Sequence, residues 1–584
     1  MTPTLRRVVL AVLLGHFILG VAYSAANPLG EAPDEADHFA YVLYLANKGT
    51  LPVGPKVTQS KHPPLYHATA AIWSLLGAPN NLFLRSNPDV QLSPSPGWSP
   101  NFFIHTTLEA WPWRDGALAM HMVRLWSVIL STATVAATYL LARRALPGQP
   151  AVAVAAAGLL AFMPEFLFIG SSVNNDNAAA LFGTLSLAAA FTMARAGGRY
   201  RPGWWGGLVL GAGLLSKVST VALWPAVGLA VLAGVLVEAR GSTPSGWWPA
   251  LLGTWRRWLP TLVWTGALAA VIALPWFVRN WLLYGDPSGM ALVMATIDQR
   301  TAAWGWNDTW WLLRGWFLSF WGKFGGAGHV PMPAWVYALA ALFTAVCAAG
   351  LIRLFLRPAW RAARWPVTLL LLATASVAIG VWRYSLLALG TDQGRLLYPV
   401  AGALVVLLAA GLLAWLPEGQ QRRGAYALIA ASFLLGIYAL GGVIRPAYAP
   451  PAPLPAGEPA LAAPSEVIDF GDLSLVGWVL APAPTLYWRV DEPTAIDWRL
   501  DFRLLADDGT LVWERRRSPG AGRWSTDHWP VGVLVEDSYG AYLPSDLAPG
   551  KYLVEVGVRP FGGELETLPD GRAYAVLGWF EVSD

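Results

Sequence analysis

Residues 8–30 read "VVLAVLLGHFILGVAYSAANPLG", and residues 33–39 read "PDEADHF". The first stretch is apolar and long enough to cross a bilayer, which takes roughly 17–25 residues. The second gathers three carboxylates and an imidazole directly where the chain leaves that stretch. Ionisable groups near bilayer depth are costly, and they are kept where they face a cavity or a partner. Reading outward from this junction, the rest of the chain repeats the same contrast of apolar runs and polar loops.

Of 584 residues, 55% are hydrophobic and 13% charged, with 33 Trp. A soluble globular chain carries about 25% charged residues. So much apolar surface belongs to an integral membrane protein. The single cysteine, Cys347, excludes an intramolecular disulfide. Charge is unevenly placed: from Glu466 onward there are 20 acidic and 10 basic residues, which leaves 16 acidic and 30 basic residues in 1–465 out of totals of 36 and 40. A basic apolar part followed by an acidic tail predicts two domains, and nothing in this balance points to nucleic acid.

About eleven apolar runs are long enough to span, near 8–27, 118–141, 150–172, 177–195, 203–216, 218–238, 259–280, 333–353, 366–389, 397–416 and 425–446. Arg6–Arg7, Arg143–Arg144, Arg195/Arg199/Arg201, Arg240/Arg256/Arg257, Arg353/Arg357/Arg361/Arg364 and Arg422–Arg423 fall in alternate loops. The bias of basic residues towards the cytoplasm puts those loops and the N-terminus on the cytoplasmic side of a cell membrane. The large first loop 28–117, the loops 281–332 and 390–396, and everything after 446 are then outside. "AYSAA" would also suit a cleavable signal, which leaves the remaining topology unchanged.

Residues 447–464, "AYAPPAPLPAGEPALAAP", form a Pro/Ala-rich linker. Beyond it, "DWRLDFRLLA", "TLVWERR", "KYLVEVGVRP" and "RAYAVLGWFEV" alternate between "DDG", "APG" and "PDG" turns. That pattern predicts an antiparallel β-sandwich over 465–584. The fold class is a polytopic α-helical membrane domain, 1–446, with a C-terminal extracytoplasmic β-sandwich.

The outward loops bring Asp34, Glu35, His38, Lys61, His62, Asp392 and Arg395 to one side, with Asp176 at the start of the fourth span and Arg124 in the second. Pro33 fixes the chain's exit from the first span. Either Asp34 or Glu35 can serve as a general base for an acceptor hydroxyl, while the other caps the helix that runs to Gly49. His38 follows one turn later, on their face. In "SKHPPLYH" (60–67) two prolines stiffen the turn that presents Lys61 and His62. "GTDQGRLLYP" (390–399) sets Asp392 and Arg395 on a Gly-bounded loop, where Arg395 could grip a phosphate in the bidentate way guanidinium allows. Lys217 in "GLLSKVST" is either a phosphate contact or a snorkelling side chain. There is no HExxH, CxxC or DxD, so no cofactor is called for, although Asp34–Glu35 with Asp176 leaves a divalent ion open. No Walker-type or GxGxxG loop precedes a helix, which argues against a nucleotide donor.

These motifs in this order resemble the GT-C membrane glycosyltransferases, specifically bacterial relatives of the protein O-mannosyltransferase and aminoarabinose transferase group. The likeness covers residues 1–446. It rests on the acidic pair after the first span, "HPPLYH", "VRLWS" around Arg124, "FMPEFLFIGSSVNNDN", "GLLSKVSTVALWP" and "QGRLLYP". The resemblance implies transfer of a sugar from a polyprenyl-phosphate carrier to a glycan, lipid or protein acceptor at the outer leaflet, usually with inversion. It implies Asp34 as base, with Glu35 as rival, and Lys61, Arg124, Lys217 and Arg395 as holders of the leaving phosphate. His62 and Asp176 would shape the sugar or acceptor pocket. The C-terminal sandwich is not shared by all members, and it is equally compatible with glycan binding or acceptor placement and with an inert appendage. A transporter or flippase of lipid-linked substrates is the main rival; it would place its polar groups near the midplane on paired halves, which this sequence does not do.

Overall fold

The computed structural model describes residues 3–79, 84–93, 98–196, 200–241, 247–451, 454 and 467–582. The main helices in order are α1 (Pro3–Ala26), α2 (Glu35–Lys48), α3 (Leu65–Ser74), α4 (Asp115–Ala145), α5 (Pro150–Phe162), α6 (Pro164–Gly170), α7 (Asp176–Ala196) and α8 (Tyr200–Ser216). They continue with α9 (Trp224–Gly241), α10 (Trp247–Tyr284), α11 (Met290–Met294), α12 (Trp306–Gly322), α13 (Ala334–Leu356), α14 (Arg364–Ser385), α15 (Ala401–Leu413) and α16 (Glu418–Ala439). Strands β1 (Lys323–Phe324) and β2 (Val330–Pro331) form a small ladder after α12.

Among the described residues nine helices are long and apolar enough to cross a membrane, and the α5–α6 pair makes a tenth if counted as one span. That pair is bent by 62°. Sequence reading predicts one span over 150–172; Pro164 bends it, because proline lacks the N–H that would continue the ladder. The expected span 203–216 is α8, at 17 residues too short to qualify by length.

The chain divides into two compact units: residues 1–27, 32–81 and 118–445, and residues 28–31, 82–117 and 446–584. In the first unit glycines let helices touch. A Cβ on Gly350 would sit 1.9 Å from the Gly411 carbonyl oxygen and one on Gly411 would sit 2.1 Å from that of Cys347, so α13 and α15 meet backbone to backbone. A Cβ on Gly183 would lie 2.2 Å from the Pro399 carbonyl oxygen, which brings α7 against the 3₁₀ turn Gly394–Val400.

The second unit contains the expected sandwich. Its strands are β3 (Ile468–Asp469), β4 (Leu473–Val479), β5 (Thr485–Val490), β6 (Trp498–Leu505), β7 (Leu511–Arg517), β8 (Leu534–Ser538), β9 (Gly550–Pro560) and β10 (Ala575–Val582). Two antiparallel sheets, ordered β3-β4-β5-β8 and β10-β9-β6-β7, enclose Leu475, Leu486, Trp488, Leu500, Phe502 and Val556. Strict alternation in β5 drives this burial, since every second side chain faces the partner sheet. Residues 28–31 and 82–117 of the first loop, which the sequence groups with the helical domain, cluster with this sandwich.

Candidate active site

The two adjacent carboxylates have opposite environments. Glu35 is fully buried and is held by Arg124, whose Nε and Nη2 donate to its two oxygens at 2.8 and 2.7 Å. Val173 N–H adds a third bond to Glu35 at 2.8 Å. Arg124 Nη1 also donates to the Ser24 and Asn27 carbonyls, both at 2.7 Å, so this guanidinium fastens α4 to the end of α1 and the start of α2. An ion pair of this kind, with its hydrogen bonds filled internally, ties helices together and leaves neither member turned to a ligand.

Asp34 stands at the start of α2 with φ 59° and ψ 9°, the left-handed region that Asp and Asn tolerate better than other non-glycine residues. Its side chain makes no capping bond to α2. The backbone is pinned instead: Asn174 Nδ2 donates to the Pro33 carbonyl at 3.1 Å, and His38 N–H donates to the Asp34 carbonyl at 2.9 Å. The carboxylate is left 46% exposed and accepts a bond from Arg395 Nη2.

From Asp34 a line of alternating charge runs through the first unit. Arg395 Nη1 donates to Asp176 at 2.9 Å, and Lys217 Nζ donates to the other oxygen of the same carboxylate. Gln393 accepts from Arg395 Nε at 2.6 Å, which fixes the plane of the guanidinium. Asp176 is placed by its own turn, its N–H donating to Asn174 Oδ1 at 2.9 Å. Lys61 lies close enough to act on Asp34, and its ammonium donates to the Thr296 carbonyl at 3.3 Å. Burial pushes the Asp34 carboxyl up, but the Arg395, Lys217 and Lys61 charges and the Arg395 hydrogen bond together hold it below the usual carboxylate range. Burial also pulls the Lys61 ammonium down, against Asp34 and Asp37.

Beside this line stands a histidine wall. His38 Nδ1 and His67 Nε2 are 2.9 Å apart, and the His38 ring stacks on His62 and on His67 with centroids at 5.8 and 5.1 Å. Tyr41 also stacks on His67, at 4.1 Å. Burial and then the surrounding positive groups keep His38 and His62 well below the ordinary imidazole range, and burial takes His67 to about 3. All three rings are therefore neutral. His67 and Tyr66 are absent from the sequence-based candidates although both stand in "HPPLYH"; Tyr66 OH bonds Ser127 at 2.8 Å and accepts from Asn174 N–H at 2.9 Å.

The predicted residues thus fall into three groups. Asp34, Lys61, Asp176, Lys217 and Arg395 are brought together, with His38 and His62 beside them. Glu35 and Arg124 form a separate buried pair. Asp392 lies on the Arg395 loop but faces Lys323, 4.0 Å away, a cation that sequence reading did not select. Among the described residues no group of three His, Cys, Asp or Glu side chains is arranged to hold a metal ion.

Residues 116–264 match the family of dolichyl-phosphate-mannose-protein mannosyltransferases. Arg124, Asp176 and Lys217 lie inside the matched stretch, and Asp34 and Arg395 outside it. No curated protein matches the chain. Similar solved structures include the Archaeoglobus fulgidus oligosaccharyltransferase, at 15% identity and TM-score 0.43 over 74% of this chain and 53% of that one. ArnT from Cupriavidus metallidurans matches at 18% identity and TM-score 0.42, over 75% of this chain and 66% of that one. The Saccharomyces cerevisiae protein O-mannosyltransferase Pmt1–Pmt2 complex matches at 18% identity and TM-score 0.34, over 47% and 33%. This chain therefore spans about half of the first relative and just under two thirds of the second. The family match over residues 116–264 agrees with the protein O-mannosyltransferase resemblance that the motifs suggest.

Proposed function

We propose that this protein transfers a sugar from a polyprenyl-phosphate-linked donor to an acceptor at the outer leaflet of a cell membrane, with Asp34 as general base. The family matched over residues 116–264 is named for a donor of this chemistry, a sugar on a polyprenyl phosphate. The observation that carries the reading is the division of labour between neighbours: Asp34 is half-exposed and ionised beside Arg395, whereas Glu35 is sealed in the Arg124 fork.

In the reaction the acceptor oxygen forms a bond to the anomeric carbon and its proton passes to Asp34. The bond from that carbon to the carrier's phosphate oxygen breaks, and the phosphate leaves with the electron pair. Developing charge on a leaving phosphate needs fixed cations. Arg395, Lys217 and Lys61 are the cations that act on Asp34, and the neutral wall of His38 and His62 offers flat faces and hydrogen-bonding nitrogens to a sugar. A single displacement of this kind inverts the anomeric centre. The basic residues in alternate loops support placing this site outside, with the N-terminus cytoplasmic.

The test uses purified protein in nanodiscs and a panel of radiolabelled polyprenyl-phosphate sugars, scored for transfer or release of label. Turnover that Asp34→Asn removes is the expected result. Binding of a donor with vectorial movement and no cleavage would instead favour a flippase.

A further inference from the structure

The second unit holds first-loop residues against the sandwich through a dense set of polar contacts. Residues 84–92 and 99–105 pair as an irregular hairpin, with Asn87 N–H donating to the Phe102 carbonyl at 2.8 Å and Ile104 N–H to the Arg85 carbonyl at 2.9 Å. One arm reads the sandwich. Arg85 pairs with Asp497 and lies over the Phe561 ring at 4.1 Å. Asn87 Nδ2 donates to the Ala521 carbonyl at 2.9 Å, where Gly522 (φ 71°) leaves room that a Cβ would fill. Asp89, with its side chain fully buried, receives Arg515 Nε at 2.9 Å and has Arg517 Nε at 3.2 Å, both from β7. Farther along, Thr107 donates its N–H and its hydroxyl to Asp527 at 2.9 and 2.8 Å.

The other arm holds Glu31. The Glu31 carboxylate, itself fully buried, accepts from Phe102 N–H at 3.0 Å and Phe103 N–H at 2.9 Å, and His105 Nε2 is 3.1 Å away. Glu31 precedes Asp34 by only two intervening residues, Ala32 and the stiff Pro33.

We infer that the C-terminal β-sandwich is a receptor for the chain's own first-loop hairpin, and that through Glu31 it positions Asp34. The sandwich is thus part of the apparatus that sets the first loop, with Glu31, Asp89 and Arg515 as positioning residues. Asp89 is the key: a buried carboxylate between two guanidinium groups is specific to its partners, because removing it takes an ion-pair partner from buried Arg517 and from part-exposed Arg515 at once. The catalytic half of this inference rests on the function proposed above.

Hydrogen exchange on the full chain in nanodiscs reads the coupling without reference to activity. In Asp89→Asn, and separately in Glu31→Gln, the amides of 85–92 and 99–104 and the His38 amide, which bonds the Asp34 carbonyl, are expected to exchange at least tenfold faster than in wild type. Amides in α7 and α15 should stay unchanged. Transfer measured on the same samples should show kcat down at least tenfold with the donor KM little changed. Faster exchange at 85–92 and 99–104 with His38 and kcat unmoved would overturn the positioning role. Unchanged exchange at 85–92 and 99–104 would overturn the receptor role. A wild type that shows the exchange coupling but transfers no sugar would contradict the proposed function alone.

Discussion

Asp34 and Glu35 are chemically alike and adjacent, yet burial and partners separate their consequences. Asp34→Asn keeps the shape and suits the same left-handed backbone but gives up the ion pair with Arg395, which retains Asp176, so it should lower the unfolding temperature less than Glu35→Gln does. Glu35→Gln strands the Arg124 cation in a dry site and should cost about 3–5 kcal/mol of stability, read as a lower unfolding temperature in detergent. The pH profile has a definite sign. Because the Asp34 carboxyl is depressed, its charged pairing is present above the ordinary carboxylate value of about 3.9 and is lost only as pH falls through the lower folded value. The acid limb of activity should therefore lie below about pH 4, and Lys61→Met, which removes one of the cations responsible, should move that limb upward. The carboxylate pair was legible in "PDEADHF", since three acids at the end of a span are costly without a purpose. Which of the pair is buried was not, because the answer comes from Arg124 and Val173, far away in the sequence.

At the scale of elements, the position of Arg395 depends on how closely α7 lies against the turn Gly394–Val400. Gly183→Val would push this contact apart by meeting the Pro399 carbonyl. The expected outcome is loss of transfer with the helices still formed, checked by activity beside circular dichroism. Helices of this kind were legible as apolar runs, but the α5–α6 bend was read through, although Pro164 marks it. Strands β6, β7, β9 and β10 could be read from alternation between Gly-bearing turns. Strand β4, "LSLVGWV", lacks clean alternation because a bulge falls between Leu475 and Gly477.

For the whole molecule, the informative fact is how the chain partitions into its two units. No periodicity joins Asp89 to Arg515 across 426 positions, so the sequence assigns the first loop entirely to the helical domain. The second unit has its own pH signature. Burial alone would lower His105, but Glu109 and then Glu31 outweigh it and raise the imidazole to about 10. A raised value means that this stabilisation is complete below the ordinary histidine value of about 6.5 and is lost as pH rises through 10. Heating at pH 7 and at pH 10.5 should show the second unit weakened at the higher pH, and His105→Leu should remove most of that difference.

The central claim, that Asp34 is the base of a sugar transfer from a lipid-phosphate donor, is tested most directly by single-turnover transfer in nanodiscs with wild type, Asp34→Asn and Glu35→Gln. The account predicts that Asp34→Asn loses roughly 10²–10⁴-fold in rate per folded molecule, the range for removing a general base. Glu35→Gln should lose activity only in proportion to its loss of folded protein. Full activity in Asp34→Asn, or a stable Glu35→Gln without turnover, would contradict it.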